Sequence, residues 1–462
     1  MNAHDTGFVY IRDLGNYLDH KVNVLGVVLE FSLPRKSRGT DFVSTLKLID
    51  ESQQSPEFSV NIFTKTIDHL PHVRSYGDLI LLKNVTIKTY EGQVSGVFYK
   101  DSSSFALFDG TPSTEAVLYQ SSPRFLLLDF EKDFISHLSQ LFDGVQFSSG
   151  SSEYLLKLKN IPEKTCFDLV CKVLHISYDA HKDVWMLFVW DGTDVPPLNL
   201  HGKLEDEKQN PLPLQIESVP LDHNILRQFQ PIGTVLRIMA DKTHENLDKH
   251  FRAVGKWVRL LDVTGQISSG IWHGFLKPSA RVRFLSDDNN VVLDLHRDYN
   301  ERIFENNGHL PQWSKSSHFL TVIDLEDITF VTLMDVITNA KLNASFCCIV
   351  RVVASYPSEA DDFRSPYCPS ATKMRLTLED PTARIHAFLR GDEWMKFFDG
   401  SPIDVFTTKL NMLLGMPERQ YGSNDGEFSR SPPWIQCCIE VKRSANGRRK
   451  RYYICSTRIV TQ

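Results

Sequence analysis

One pattern recurs along this chain and constrains its fold more than any other. Short runs rich in β-branched and aromatic residues come in groups, with turn residues between them. In the first group these are VNVLGVVLEF (22–31), STLKLID (44–50), FSVNIFT (58–64), DLILLKNVTIKTY (78–90) and GVFYK (96–100). Such runs read as strands. A helical stretch, TKTIDHLPHV, falls between the third and the fourth. Five strands with a helix before the fourth is the order of an OB-fold, a small Greek-key barrel. The first strand of such a barrel must bend to pair with both sheets, and Gly26 suits that bend.

The pattern then restarts. Phe134, Ile135, Leu138, Leu141 and Phe142 fall at helical spacing, Gly144 suits a helix end, and SSGSSE (148–153) reads as a linker. Strand runs follow at TCFDLVCKVLHISYD (165–179), VWMLFVWDGTD (184–194), VGKWVRLLDV (254–263) and NVVLDL (290–295), with GKLEDEKQNPLPLQ (202–215) as a loop. ENNGHLPQWSKSS (305–317) is a second linker candidate. The third group is ASFCCIVRVVASY (344–356), KMRLTLED (373–380), RIHAFLRG (384–391), WIQCCIEVKRS (434–444) and RRKRYYICSTRIV (448–460). Phe406, Leu410, Leu413 and Leu414 mark a helix inside it, and Ala445-Asn446-Gly447 is a hairpin turn signal. The expected fold is mainly β, with three tandem OB-fold barrels and short connecting helices, over 8–145, 153–305 and 318–462. The repetition is one of element order, with no residue-level repeat visible.

At 462 residues the chain exceeds a single compact core, and 42% hydrophobic residues exclude a mostly disordered one. The net charge of −6 excludes a globally basic nucleic-acid binder, so phosphate contacts must come from local patches. No apolar run reaches the roughly 18 residues that span a membrane. MNAHDTGFVYIRDLG lacks the apolar core of a secretory signal, so cytosol or nucleus is expected. The eight cysteines contain no Cys-x-x-Cys and read as buried free thiols. Neighbours on a strand face opposite ways, so the pairs Cys347-Cys348 and Cys437-Cys438 do not converge on a metal. GxxxxGK[ST], His-Glu-x-x-His and Gly-x-Ser-x-Gly are absent, so a binding protein without catalysis or cofactor is expected.

Three segments carry a family resemblance. VNVLGVVLEFSLPRKSRGTDFVSTLKLIDES (22–52), with VNIFTKTIDHLPHVRSYGDLILLKNVTIKTYEGQ (60–93) and SSFALFDG (103–110), resembles the N-terminal OB domain of protection-of-telomeres proteins, most of all their plant members. FDLVCKVL, LFVWDGTD and IGTVLRI within 167–238 resemble that family's second OB domain. MRLTLEDPTARIHAFLRGDEWMKFF and PPWIQCCIEV resemble its C-terminal part. Animal members carry a nuclease-like, cysteine-bearing insertion in the third OB domain. Here about 16 residues separate strand run 344–356 from 373–380, which matches the shorter plant-type architecture.

The resemblance implies nuclear chromosome-end binding of single-stranded G-rich telomeric DNA by the first domain. It also implies end protection, control of telomerase access and of telomere length, and contact with other telomere-capping proteins through the third domain. Single-strand binding needs cations along the backbone path and aromatic faces for bases. The loop after the first strand offers Phe31 for stacking, Arg35, Lys36 and Arg38 for phosphates, and Thr40 and Asp41 for base edges. Gly39-Thr40-Asp41-Phe42 matches the family's DNA-contacting loop. Phe63 occupies a position the family uses for base stacking, and a barrel-core role is its alternative. Tyr90 and Gln93 match a family contact segment, although Glu91 stands where animal members have a basic residue. Trp190 matches a family aromatic that could stack or lie buried. Lys242, His244, Lys249, His250 and Arg252 form a local basic patch. Lys442, Arg443, Arg448, Arg449, Lys450 and Arg451 form another, readable as an import signal, a backbone contact or a solvated hairpin. Trp394, Phe397 and Phe398 read as core before partner surface. The eroded second domain, Glu91 and the basic hairpin raise an alternative: an accessory subunit of the telomerase ribonucleoprotein, working through protein or RNA contacts.

Overall fold

Alternating burial closes the first strand group into a barrel. The computed structural model describes residues 7–460, except 112–115, 146–152, 202–214, 305–307, 315–318, 340–341, 357–372, 401–402, 417–428 and 444–449. Most of the linker at 148–153, the loop at 202–214 and the turn at Ala445-Asn446-Gly447 lie outside the described residues. The first barrel has strands β1 Lys21–Ser32, β2 Phe42–Asp50, β3 Gln53–Thr64, β4 Leu79–Tyr90 and β5 Gln93–Phe98. Leu46, Leu48, Phe58, Val60, Ile62, Val85 and Ile87 fill its interior. β1 leaves β4 for β2 at Val27, beside Gly26, where a Cβ would lie 2.9 Å from the Ile49 carbonyl oxygen. A parallel pairing of β3 with β5 (Ser59↔Ser95, Asn61↔Val97) closes the ring.

The second barrel repeats the order with β6 Cys166–Asp179, β7 Val184–Trp190, β8 Leu236–Ala240, β9 Trp257–Ser268 and β10 Ile271–Phe284. Again the third and fifth strands run parallel, Arg237↔His273. The third has β11 Ser345–Tyr356, β12 Lys373–Glu379, β13 Arg384–Arg390, β14 Trp434–Arg443 and β15 Lys450–Cys455, and it too is closed. Two expectations change. Residues 290–295 are not a strand: they begin helix Asn290–Phe304, with Val292 and Leu295 buried at helical spacing. Two strands were not among the runs read above: β8, and β10, whose alternation is obscured by Gly274, Pro278 and outward Arg281 and Arg283. The helical stretch before β4 shrinks to a single turn at Ile67–His69, because Pro71 disfavours a helical Leu70.

Helix Asp129–Leu141 forms where the period changed. Its Ile135 and Leu138 cover Val27, Leu29, Leu79 and Leu81 on the outside of the first barrel. The buried Glu131 accepts from the Leu128 amide at 2.8 Å and meets Lys83 at 2.7 Å, tying the helix start to β4.

A residue-level repeat does exist, contrary to the reading above. Each second strand ends in Asp-x-Ser/Thr: Asp50-Glu51-Ser52, Asp191-Gly192-Thr193 and Asp380-Pro381-Thr382. Each aspartate accepts from the amide two residues on, at 2.9, 2.9 and 2.8 Å. Each also accepts from a distant amide that leads into its own barrel: Ile11 (2.7 Å), Leu158 (2.7 Å) and Leu333 (2.7 Å). The carboxylate therefore staples the entering chain to the second-strand turn three times over. Burial pushes Asp191 up, and Asp380 up to about 6, while the amides oppose that shift.

The first two barrels share one sheet. The end of β1 pairs with β10, Phe31↔Val282 and Ser32↔Arg281. Glu30, buried, meets Arg281 and Arg283 of β10, each at 2.6 Å. His244 lies 2.9 Å from the Pro34 carbonyl oxygen. His72 and His250 stack with centroids 4.2 Å apart and facing nitrogens 3.1 Å apart. So His244 and His250, read above as parts of a basic patch, are buried at this junction.

Burial and the neighbouring His250 lower His72 to about 4. The unfolded imidazole titrates near 6.5, so between these values only the unfolded chain takes up the proton. Stability is then full above about pH 6.5 and falls by about 3 kcal/mol as pH drops to about 4. Unfolding midpoints measured across that range should fall less steeply for His72→Gln than for the parent chain.

The seven described cysteines are free thiols. Cys348 and Cys437 point into the third core, whereas Cys347, Cys438 and Cys455 cluster on the opposite side of the sheet. Phe397 and Phe398 are core residues, with Trp394 packed against them. Among the described residues no helix is long and apolar enough to cross a membrane, and no group of three His, Cys, Asp or Glu side chains could hold a metal.

Candidate nucleic-acid interface

The outer face of the first barrel gathers most of the expected contact residues. On β3, Phe58, Val60 and Ile62 face the core, so Ser59, Asn61 and Phe63 face out. Phe63 is half-buried on that outer side and is not a barrel-core residue. It sits opposite the buried Val43, and further along the same outer side Thr45 donates to Asn61 at 2.7 Å and Lys47 pairs with Glu57 at 3.4 Å. Ile62 pairs in parallel with Phe98, the last residue of β5, and Tyr99 follows it. Tyr99 is 48% exposed. Sequence reading placed Tyr99 inside a strand run and passed over it. Its signal was the alternation after core Phe98.

The β4–β5 hairpin sets the second group. Glu91 (φ 48) and Gly92 (φ 79) form a two-residue turn with both residues left-handed, a geometry that favours glycine. Tyr90 and Gln93 therefore sit directly opposite each other. Tyr90 is 70% exposed and Gln93 is also exposed. Glu91 projects at the tip between them, exposed and acidic.

The loop after β1 is a small hairpin. Arg35 and Lys36 pair with Val43 and Phe42, and the Ser37 amide donates to the Asp41 carbonyl at 2.9 Å. Arg38, Gly39 and Thr40 thus project into solvent. Asp41 is held by Lys100, whose Nζ lies 2.8 and 2.6 Å from its two oxygens. Lys100 fixes the carboxylate's direction and leaves it further acceptor positions. This second residue was also missed in the sequence, because it lies 59 positions from its partner.

Four expected contacts are relocated. Phe31 is not an exposed stacking platform: it is 5% exposed, with its ring 6.3 Å from Phe251 and 5.5 Å from Phe284 of the second barrel. The pairing of β1 with β10 buries it. Trp190 is 3% exposed. Its indole N–H donates to the Ile232 carbonyl at 2.8 Å and its ring packs on Tyr299 at 5.0 Å, so it is a core residue. Lys36 leans to the second barrel, 3.6 Å from Glu245. Arg35 is half-buried beside His244. Arg38, Thr40, Tyr90 and Gln93 are exposed, and Asp41 and Phe63 are half-buried.

The molecule is thus a tandem OB-fold protein whose first barrel offers aromatic, amide and cationic groups on one outer surface. Residues 2–152 match the family described as "Telomeric single stranded DNA binding POT1/CDC13", and residues 316–446 match "POT1A-like, OB fold domain". The chain is 36% identical to protection of telomeres protein 1b of Arabidopsis thaliana over 445 residues, covering 94% of this chain and 93% of that protein. It is 33% identical to protein 1a of the same plant over 450 residues, covering 93% and 92%. The crystal structure of fission yeast Pot1 with single-stranded DNA aligns with 63% of this chain and 93% of that one, at 19% identity and a TM-score of 0.26. The chain belongs to the protection-of-telomeres family.

Proposed function

We propose that this chain binds single-stranded telomeric DNA on the outer face of its first barrel, the domain spanning residues 8–145. There it protects chromosome ends in the nucleus and governs telomerase access and telomere length. The observation that supports the reading is the set of groups the first barrel leaves outside its core: half-buried Phe63, exposed Tyr99, Tyr90 and Gln93, and the Arg38–Asp41 loop. Phe63, Tyr99 and Tyr90 serve as stacking surfaces, Arg38 meets phosphate, and Asp41, held by Lys100, accepts from base amino groups. Binding at this surface, without catalysis, is its activity. Other telomere-capping proteins dock on the third domain, residues 318–462.

A gel-shift titration on telomeric repeats against scrambled repeats tests the reading, and equal affinity for both would sink it. Phe63→Ala is expected to weaken binding by about 1–3 kcal/mol, roughly 5- to 150-fold, with an unchanged unfolding midpoint, since the ring lies outside the core. A loss of thermal stability without a loss of affinity would return Phe63 to a structural role.

A second reading has its own observation. Trp190 and Phe31 are buried, so these two aromatics are withdrawn from DNA. This favours a role as accessory subunit of the telomerase ribonucleoprotein. Immunoprecipitation of the chain followed by a telomerase assay separates the two, because activity left in the supernatant rejects the second.

A further inference from the structure

The third barrel carries an outer row of alternating aromatic and cationic side chains that the reading above leaves unused. On β13, Ile385, Ala387 and Leu389 fill the core, so His386, Phe388 and Arg390 face outward. Register places one outward residue per strand in a line across the sheet: Tyr356, Arg375, Phe388 and Tyr453. The Arg375 guanidinium lies 5.3 Å from the Tyr356 ring centre. Phe388 and Tyr453 have ring centres 6.1 Å apart. Arg390 covers Tyr453 at 4.0 Å and Lys442 reaches the same ring at 5.9 Å, so Tyr453 is buried beneath the cations and the half-buried Phe388 is the open ring of this pair. Next to this row, the register pairs Lys442 with Arg451 and Arg443 with Lys450, and all four are exposed. The acid in the row is Glu440, opposite Tyr453, and Lys442 engages it at 2.6 Å.

One flank of the row opens into a cleft of about 630 Å³ between the second and third barrels. Phe388, Lys450 and Arg451 line it from the third barrel, and Arg237 and Trp272 from the second. Arg237 is engaged by Glu217 at 3.0 Å. The volume lies within the range of about 300–1,000 Å³ typical of ligand pockets.

We propose that this face of the third barrel binds single-stranded nucleic acid, as a second site independent of the first barrel. The charge argument decides the occupant. The chain as a whole carries −6, yet among the described residues Arg375, Arg390, Lys442 and Arg451 share the outer side of this barrel, where Lys442 engages Glu440 and Arg384 engages Glu379. Cations held over aromatic rings are how proteins grip an unpaired strand: the ring takes a base and the cation a phosphate. A protein partner for this face would have to be strongly acidic.

The test uses the full chain, with Phe63→Ala and Tyr90→Ala already removing the first-barrel surface. Labelled mixed-sequence DNA and RNA single strands are titrated by anisotropy over a salt series. Residual binding should survive in that background. Arg390→Gln with Arg451→Gln, both exposed, should then lower the slope of log affinity against log salt by about 1.4, at about 0.7 per phosphate contact. Ultraviolet cross-links should map to the peptides holding Phe388 and Tyr453. An unchanged slope with no cross-link in the third barrel overturns the proposal. So does loss of an acidic protein complex, but of no nucleic acid, on the same two substitutions. If Phe63→Ala and Tyr90→Ala alone leave affinity untouched, the first-barrel reading fails and this one stands or falls separately.

Discussion

Glu30→Ala is expected to cost about 3–5 kcal/mol, because it leaves a buried arginine without its partner. Glu30 is buried at the end of β1, and its two oxygens meet Arg281 and Arg283 of β10. Arg281 is partly exposed and can turn to water, whereas Arg283 is buried. The loss should therefore fall on the shared sheet of the first two barrels, and the third barrel should keep its transition. Unfolding of a three-barrel chain is not expected to be two-state. The readout is accordingly hydrogen exchange resolved by strand, with β1 and β10 losing protection and β11 to β15 unchanged. Replacing Glu30 and Arg283 together by methionine should recover much of the loss, since the uncompensated charge is gone. A loss below about 1 kcal/mol would show that the pair contributes little beyond a surface bridge.

Asp191→Ala is expected to cost about 2–5 kcal/mol, since two buried amides lose their acceptor at about 1–3 kcal/mol each. Those amides belong to Leu158 and Thr193, and the Thr193 hydroxyl also donates to the same carboxylate at 2.8 Å. Leu158 begins the chain's entry into the second barrel, so its amide should lose exchange protection first. Asp191→Asn retains one acceptor oxygen and should lose less than Asp191→Ala. Equal losses for both would mean that the carboxylate's charge, and not its acceptor geometry, holds the turn. The same comparison at Asp380 should give the same order, because its partners repeat the pattern at Leu333 and Thr382.

The barrels were legible because period-2 patterning is a local property. β3 buries alternate residues, and the longer apolar runs of β2 and β4, covered on both sides in part, also stand out in the sequence. β10 was not legible, since its outward arginines exist to meet Glu30 some 250 residues away in sequence. The Asp-x-Ser/Thr repeat was hidden for a related reason. It is three residues long, and its partner amides lie 39, 33 and 47 positions away. The turn residues of the Arg38–Asp41 loop and of the Tyr90–Gln93 hairpin were readable, since turn chemistry is also local.

Sequence alone determined the strand order of the first and third barrels, the number of barrels and the two tips that carry Arg38, Thr40, Asp41, Tyr90 and Gln93. Only the tertiary structure decided which aromatics face outward. Phe31 and Phe63 stand in similar strand contexts, but β1 is covered on both sides, by Asp129–Leu141 and by the second barrel, whereas the outward residues of β3 from Glu57 to Phe63 are only half-buried. Alternation tells which residues share a side of a strand. It cannot tell whether another domain will cover that side, because that depends on surfaces brought together from the far end of the chain.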